Sequence, residues 1–300
     1  MAGSKPATST ATMAALNAAS SHEGPAELND EELNSITQAL YQRYRYDYRS
    51  FEKKSLARRI RRVMRKYNLA NSVELWRKIL YDESFVEKMT NDISVGLTSF
   101  FRDPRLWQFL YQQVLPAFGS QRNIHLWHAG CATGEEVYSM ALIIDQLGLR
   151  AQCKGLATDI SSDFIAFAQR GIYPEEAQQK LIEQHNIIGI APATLNRWLV
   201  STEPAAVSFN SRLISHITFK QQNLLTERSQ QQFHIIFCRN VLIYFERPAK
   251  MELLQHFYQQ LVPGGILVLG LFDSVLPAHL PAGLTPLHLG LKVYQKNKAH

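Results

Sequence analysis

The alternation of strand and helix patterns between residues 124 and 270 constrains the fold of this chain more than any other sequence feature. Short apolar segments typical of buried strands lie at 124–129, 153–159, 217–221, 233–238 and 266–270, with a later one at 291–296. Segments of helical period lie at 134–147, 162–169 and 248–261. Strands that alternate with helices predict a mostly parallel sheet covered on both faces, and therefore an α/β fold.

Residues 173–216 do not follow this alternation. The segment contains "LNRWLV" and then "AVSFNSRLIS". We predict one short helix there, followed by a small hairpin-like insertion.

Small and polar residues directly follow several predicted strands. In an open parallel sheet, ligands bind beyond the carboxyl ends of the strands, where the strand order reverses. Glycines there let the backbone turn tightly and approach a ligand, and an aspartate can accept hydrogen bonds from ribose hydroxyls. The predicted ligand-facing residues are Gly130, Gly134, Glu136, Asp159, Asn223, Leu224, Arg239 and Asn240.

The turn after the first strand narrows the choice of cofactor. Its spacing is Gly130-x-x-x-Gly134, which lacks the G-x-G-x-x-G pattern of dinucleotide sites. Glu135 and Glu136 follow at the start of a helix and would repel a pyrophosphate. We expect Glu135 to complement the helix dipole and Glu136 to face a ligand that carries a sugar and a cationic centre. S-adenosylmethionine fits that description, although a simple strand-to-helix turn explains many such glycine pairs.

The apolar segment "FHIIFCRNVLIYF" (233–245) is interrupted by Arg239 and Asn240. Burying an unpaired charge costs several kcal/mol. We therefore predict that the strand ends at Cys238 and that Arg239 and Asn240 face the bound ligands.

Helical patterns dominate the N-terminal part of the chain. Residues 1–28 are rich in Ala, Ser and Thr and are predicted to be disordered, whereas 29–95 are predicted to form a small helical domain with helices at 52–67 and 72–81. Residues 96–119 form a linker and a helix. Asp103 is predicted to cap that helix, which begins at Pro104 and runs to about Val114.

Positive charge is concentrated in one stretch of the chain. The net charge is +6, yet residues 41–80 alone contain thirteen Lys and Arg and only three acidic residues. Like charges three or four residues apart destabilise a helix, so an unbroken basic helix predicts an acidic partner rather than a merely solvated surface. The predicted partner-binding residues are Arg58, Arg59, Arg61, Arg62, Arg65 and Lys66.

Several classes of protein do not fit the sequence. No apolar run approaches the ~20 residues that span a bilayer, and the N-terminus has no secretory signal pattern, so we expect a cytoplasmic protein without membrane insertion. Cys131, Cys153 and Cys238 are too widely spaced for a disulfide framework or a zinc site, and no metal is expected.

Specific motifs relate the chain to a known family. They are "LTSFFRDP" (97–104), "LWHAGCATGEE" (126–136), "ATDIS" (157–161), "AQRGIYPEE" (168–176), "NLL" (223–225) and "FCRNVLIYF" (237–245). From about residue 29 to 296 the chain resembles the CheR-type chemotaxis receptor O-methyltransferases.

The resemblance implies methyl transfer from S-adenosylmethionine to glutamate side chains on the cytoplasmic helices of chemoreceptors. It also implies a class I, Rossmann-like methyltransferase fold over 120–300, which follows an N-terminal all-α domain. A β-subdomain is inserted into that fold at about 173–218. The product cofactor would be S-adenosylhomocysteine. By the same resemblance, cofactor contacts fall on Thr98, Arg102, Glu136, Asp159, Asn223, Leu224, Arg239 and Asn240, and the catalytic residues are Arg102, Arg239 and Tyr244.

The absence of an obvious catalytic base agrees with that reaction. A glutamate carboxylate is already ionised at pH 7, so the nucleophile needs no general base. A site that excludes water and aligns oxygen, carbon and sulfur supplies most of the rate. We expect Arg239 to orient the glutamate bidentately and the hydroxyl of Tyr244 to point at the same centre.

Some positions depart from the family pattern. Gly96 stands where Asn is frequent, Val137 where Pro is frequent, and Gly270–Ser274 replaces a Gly-His-Ser-Glu run. The stretch "VSTEPAAVSF" lacks a glycine-rich loop, so we predict activity without a receptor tail peptide as a tether. Two alternatives stay open: a degenerate domain that binds S-adenosylmethionine without turnover, and an RNA-binding methyltransferase.

Overall fold

The computed structural model describes residues 28–94, 96, 98–200, 206–227 and 230–298. Apart from Leu28, the tail predicted to be disordered lies outside the described residues, and so do residues 201–205 of the inserted segment.

Four helices form the N-terminal unit: Asp30–Tyr44 (α1), Lys53–Lys66 (α2), Ser72–Tyr81 (α3) and Glu83–Ile93 (α4). A side chain before each helix accepts hydrogen bonds from its first turn, which explains where the helices begin. These caps are Asn29, Glu52, Asn71 and Asp82. Helix α4, which the sequence patterns did not predict, starts almost immediately after α3 ends.

The apolar stripes of the four helices pack into one buried cluster. Ile36, Ile60, Ile79 and Met89 are all fully buried in it. One residue of each helix is in that set, so every helix contributes to a common core.

The connecting helix begins at Pro104 as predicted, but its cap and its helical type differ from the prediction. Helix α5 spans Pro104–Phe109 and continues as a π-helical turn, Leu110–Val114, and a 3₁₀ turn, Leu115–Phe118. Asp103 adopts a left-handed backbone conformation with φ 60° and makes no capping hydrogen bond. Its carboxylate binds Arg239 instead, so the prediction of an Asp103 cap is wrong.

The rest of the chain builds two sheets. The strands are Ile124–Ala129 (β1), Cys153–Asp159 (β2), Ile172–Pro174 (β3), Leu199–Val200 (β4), Ala206–Phe209 (β5), Ile217–Gln221 (β6), Phe233–Cys238 (β7), Leu261–Leu269 (β8), Leu284–His288 (β9) and Val293–Lys296 (β10). The helices are Glu135–Gln146 (α6), Ser162–Arg170 (α7), Glu175–Ile188 (α8), Pro192–Trp198 (α9) and Arg247–Gln260 (α10).

The main sheet has seven strands in the order β6-β2-β1-β7-β8-β10-β9. From β6 to β8 neighbouring strands run parallel, and β10 runs antiparallel to both β8 and β9. The chain places β2 on one side of β1 and β7 on the other. The strand order therefore reverses next to β1, which marks the expected place for a ligand.

The inserted segment is more helical than predicted. It contains two helices, α8 and α9, of 14 and 7 residues, where one short helix was expected. Strands β3, β5 and β4 form a small antiparallel sheet. The β-rich insertion is thus present, and its single-helix prediction is wrong.

The N-terminal unit is attached beside the end of β7. Phe51 forms an isolated antiparallel bridge with Phe245, and their rings meet edge to face with centroids 4.9 Å apart. The backbone N–H of Glu52 donates to the carbonyl of Tyr244 at 2.9 Å. The start of α2 is therefore held against the segment that follows β7.

Candidate cofactor site

A cavity of about 310 Å³ opens at the carboxyl ends of β1, β2 and β7. Each strand contributes the residues that follow it, as the strand-end argument predicts. The predicted site residues that line it are Thr98, Arg102, Gly130, Glu136, Asp159, Asn223, Leu224, Arg239, Asn240 and Tyr244.

The two glycines of the first turn have different roles. Gly130 has φ +80°, and a Cβ atom there would lie 2.4 Å from Cγ2 of Val241, so only glycine fits at this wall of the cavity. Gly134 has φ +94° and lies outside the cavity, where a Cβ would crowd Ala168 at 2.7 Å. The prediction that Gly134 contacts a cofactor is therefore corrected: it serves the close packing of the turn against α7.

Asp159, the last residue of β2, connects two loops at the cavity. Its Oδ2 accepts from the backbone N–H of Ala132 at 2.9 Å, and its Oδ1 accepts from that of Ser161 at 3.0 Å. Burial raises the pKa of Asp159 above its usual value, and the backbone hydrogen bonds oppose that rise. Each oxygen retains a lone pair with which it can accept a further hydrogen bond from a ligand hydroxyl.

Glu136 is part of a buried network of charged side chains. Its Oε1 lies 2.9 Å from Nδ1 of His128, and its Oε2 accepts from Nη1 of Arg239 at 3.1 Å. Burial raises the pKa of Glu136, but the hydrogen bond of His128 and the charge of Arg239 outweigh it and lower that pKa. Glu136 is therefore ionised at neutral pH.

Arg239 is occupied by the protein itself. Its Nη2 donates to Oδ2 of Asp103 at 2.7 Å and to the carbonyl of Arg102 at 2.9 Å, in addition to the bond from Nη1 to Glu136. A guanidinium with these partners is not presented for bidentate binding of a substrate carboxylate, so that prediction is wrong. The contact also explains why "FFRD" and "CRN" occur together: Asp103 of one motif pairs with Arg239 of the other.

Two side-chain amide atoms at the cavity lack a hydrogen-bond partner within the described parts of the chain. Nδ2 of Asn223 and Oδ1 of Asn240 are buried without a hydrogen-bond partner among the described residues. Buried polar atoms are normally satisfied, so a donor and an acceptor here indicate a bound polar molecule. Together with the Asp159 carboxylate and the apolar side chain of Leu224, they fit a nucleoside.

The structure adds Arg59 to the site. This residue is only 7% exposed, lines the cavity and donates from Nη1 to the carbonyl of Ile93 at 3.0 Å. Its guanidinium carbon lies 4.0 Å from the ring centroid of Tyr244. The prediction that Arg59 belongs to an exposed partner-binding surface is wrong. The signal was present, because Arg59 follows Leu56 by three residues and so shares its inward face.

The other predicted basic residues of α2 remain on the outside. Arg58, Arg62, Arg65 and Lys66 are exposed, and Arg61 is partly exposed. Some of their charge is compensated within the chain: Arg62 donates to the carbonyl of Asp92, and Lys66 pairs with its carboxylate at 2.5 Å. In the part of the chain that is described, no helix has the length and apolar character needed to cross a membrane.

Comparisons with known proteins identify the family. The profile described as "CheR methyltransferase, SAM binding domain" matches residues 96–281, and "CheR methyltransferase, all-alpha domain" matches 31–94. Chemotaxis protein methyltransferase 1 of Pseudomonas aeruginosa is 32% identical over 235 residues, which cover 74% of this chain and 82% of that protein. A Pseudomonas putida protein named Cher3 is 28% identical over 268 residues, 89% of this chain and 97% of its own.

Among solved structures, N-methyltransferase NodS of Bradyrhizobium japonicum, in complex with S-adenosylhomocysteine, matches with a TM-score of 0.37 and 16% identity. The match covers 66% of this chain and 91% of NodS. The two family profiles, and not this distant structural match, confirm the family resemblance, the class I fold with its all-α domain, and the cofactor S-adenosylmethionine. The two profiles account for nearly all of residues 31–281, and the chain belongs to the CheR methyltransferase family.

Proposed function

We propose that this protein transfers the methyl group of S-adenosylmethionine to glutamate side chains on the cytoplasmic helices of chemoreceptors, forming glutamate methyl esters. Family membership supports methyl transfer in chemotaxis. The observation that carries the glutamate assignment is the cavity itself, where Arg59 and Tyr244 converge beside the cofactor-binding strand ends. Cationic and phenolic groups attract and orient a carboxylate that is ionised without help from a base.

The cofactor has a defined set of partners in this proposal. Asp159 accepts hydrogen bonds from the ribose hydroxyls, and Arg102 pairs with the methionyl carboxylate. Thr98, Gly130, Glu136, Asn223, Leu224 and Asn240 form the rest of the binding surface. When bound, the cofactor supplies an electrophilic methyl group, and the chain's own residues exclude water and align the glutamate.

Tyr244 and Arg59 orient the substrate in this proposal. The guanidinium of Arg59 stacks on the Tyr244 ring, and its hydrogen bond to Ile93 holds it in place. Tyr244 can therefore direct its hydroxyl at an incoming carboxylate, with Arg59 supplying positive charge behind it. Arg239 contributes indirectly, because it holds Glu136 and Asp103.

The exposed basic face of α2 is the proposed contact for the receptor. Arg58, Arg62 and Arg65 project from the helix that also carries Arg59. A receptor helix rich in glutamate complements this face and would present one side chain to the cavity. Such a reaction takes place in the cytoplasm, where these receptor helices lie.

We further propose that the protein does not need a receptor tail peptide as a tether. Calorimetric titration with such a peptide checks this directly. We expect no binding tighter than about 10 μM, which corresponds to about 7 kcal/mol. A tighter complex contradicts tether independence and leaves the methylation proposal intact.

Transfer of labelled methyl groups into receptor-containing membranes tests the reaction. We expect counts that alkali releases, since esters hydrolyse and N-methyl groups do not. Asp159→Ala should reduce them about tenfold or more at subsaturating cofactor, by weakening S-adenosylmethionine binding to that extent, whereas Asp163→Ala, an exposed aspartate on α7, should change neither the counts nor the binding. Alkali-stable counts in RNA would favour the RNA-binding alternative.

A catalytically degenerate cofactor-binding protein is the second candidate. The ring of Phe164 fills the space beside Gly96, since a Cβ there would lie 2.8 Å from Cζ of Phe164. The asparagine frequent in the family therefore does not fit without movement of that ring. Tight S-adenosylhomocysteine binding without any transferred label would establish this candidate instead.

A further inference from the structure

Asp273 is a fully buried carboxylate outside the cavity lining. Its Oδ2 accepts from the backbone N–H groups of Asn240 and Gly270, both at 2.8 Å, and its Oδ1 accepts from that of Ile243 at 3.1 Å. Burial raises the pKa of Asp273, while these three hydrogen bonds and the charge of Lys292 lower it. One side chain thus organises the backbone at the ends of both β7 and β8.

The backbone that Asp273 holds has an unusual conformation. Asn240 has φ +57°, in the left-handed region that costs about 1 kcal/mol or more for a residue other than glycine. Gly270 crosses beside it so closely that a Cβ would lie 2.4 Å from the Asn240 nitrogen. A left-handed residue persists only where its surroundings hold it.

We infer that Asp273 is a positioning residue for the cofactor site, because its hydrogen bonds set the backbone conformation of the segment Asn240–Tyr244. Asn240, Ile243 and Tyr244 all line the cavity, whereas Asp273 reaches it only through their backbone. This chain has Gly270–Ser274 in place of the family's Gly-His-Ser-Glu run. Asp273 is the acidic residue of that stretch, and it holds the backbone of the segment. The inference rests on the cofactor site and is independent of the substrate.

The test compares Asp273→Asn with the unaltered protein. An amide offers one oxygen where the carboxylate offers two, so at least one of the three N–H groups then faces an NH₂ group. We expect S-adenosylhomocysteine to bind about tenfold more weakly by calorimetry, which corresponds to about 1.4 kcal/mol. Amide hydrogen exchange should accelerate at Asn240 and Ile243.

Asp145→Asn is the matched control. Asp145 accepts from Nη1 of Arg197 and Nε1 of Trp198, far along α6 from the cavity. The Asp145→Asn variant should unfold at a lower temperature than the unaltered protein. Its affinity for S-adenosylhomocysteine should stay within about twofold, and amide hydrogen exchange at residues 239–245 should be unchanged. Unchanged S-adenosylhomocysteine affinity in Asp273→Asn would overturn the inference. So would an affinity loss that matches the loss in Asp145→Asn when the two variants are equally destabilised.

If Asp273→Asn does not fold, Lys292→Met supplies the test. The ammonium group of Lys292 donates to the Asp273 carbonyl. We expect faster exchange at Asn240 and Ile243 and an affinity loss of about threefold. Unchanged exchange and affinity would overturn the inference. Neither readout uses a receptor, so failure of the glutamate proposal leaves this test unaffected.

Discussion

Asp159, the proposed partner of the cofactor's ribose hydroxyls, is expected to make cofactor affinity depend on pH. The raised pKa of its carboxyl lies above the ordinary value of 3.8, because burial disfavours the ion. Its contribution to folding is therefore fully present at low pH and is lost as pH rises through the folded pKa. Cofactor binding has the opposite dependence, because ribose hydroxyls donate best to the ionised form.

We therefore expect S-adenosylhomocysteine affinity to fall as pH decreases from neutral, with a midpoint above 3.8. Titrations at several pH values at which the protein stays folded measure this. Asp159→Asn should bind weakly at every pH and remove the dependence. Glu136 does not interfere, since its lowered pKa keeps it ionised. A flat profile for the unaltered protein would refute the assignment.

Gly130 allows a second residue-scale prediction. Gly130→Ala should destabilise the protein by about 2–4 kcal/mol, from the left-handed backbone and the clash with Val241. Gly189→Ala is the control: its φ is +85°, but nothing lies within 4 Å of the added Cβ. Gly189→Ala should lower the free energy of unfolding by only about 1–2 kcal/mol and leave cofactor affinity unchanged. Denaturant unfolding and calorimetry distinguish the two, and equal costs would argue against a tight wall at Gly130.

At the scale of elements, the proposed function gives α2 two roles on two faces. Its inward face buries Leu56, Arg59 and Val63, while its outward face exposes Arg58 and Arg65. The hydrophobic spacing that predicted the helix also assigns these faces. Cofactor binding and receptor recognition should therefore be separable by mutation of the outward face alone.

We expect Arg58→Glu combined with Arg65→Glu to reduce receptor methylation about tenfold or more at low salt, because long-range attraction to an acidic helix is lost. S-adenosylhomocysteine affinity should not change. The combination Arg77→Glu and Lys88→Glu alters the net charge equally on other helices of the same unit and should retain methylation. If both pairs lose activity equally, the effect is one of overall charge and α2 is not the contact.

At the scale of the whole molecule, the cavity joins two units. Tyr48, Phe51, Arg59 and Ile93 line it from the N-terminal unit. We therefore expect a cofactor bound in this cavity to contact both units. Saturation at about 100 times the Kd should raise the free energy of unfolding by about 2.7 kcal/mol.

Phe51→Ala tests that coupling, because Phe51 packs against Phe245 at the junction. In the unaltered protein, S-adenosylhomocysteine should slow hydrogen exchange in both α2 and the sheet. In the variant, protection should remain in the sheet and decrease in α2. Trp76→Ala, which perturbs the N-terminal core away from the junction, should keep both effects. Protection confined to the sheet in the unaltered protein would contradict the coupling.

The sequence by itself determined the parallel strands of the sheet, most of the helices and the strand-end positions of the site, but it missed β9 and began β8 five residues late. Periodicity is local, so β1, β2, β6 and β7 are recovered with the bounds that the structure has. The family motifs likewise predicted residues that line the cavity, because side chains after parallel strands converge wherever the sheet forms.

Only the tertiary structure decided how the charges pair. Arg239 turned from an expected substrate contact into the partner of Asp103 and Glu136, and Arg59, which its spacing from Leu56 places on the inward face of α2, meets the ring of Tyr244 at the cavity. Asp273 gained its inferred positioning role through hydrogen bonds from the backbone of Asn240 and Ile243, which lie 33 and 30 positions earlier in the chain. Such pairings depend on which distant segments meet in space, and spacing along the chain carries no information about that.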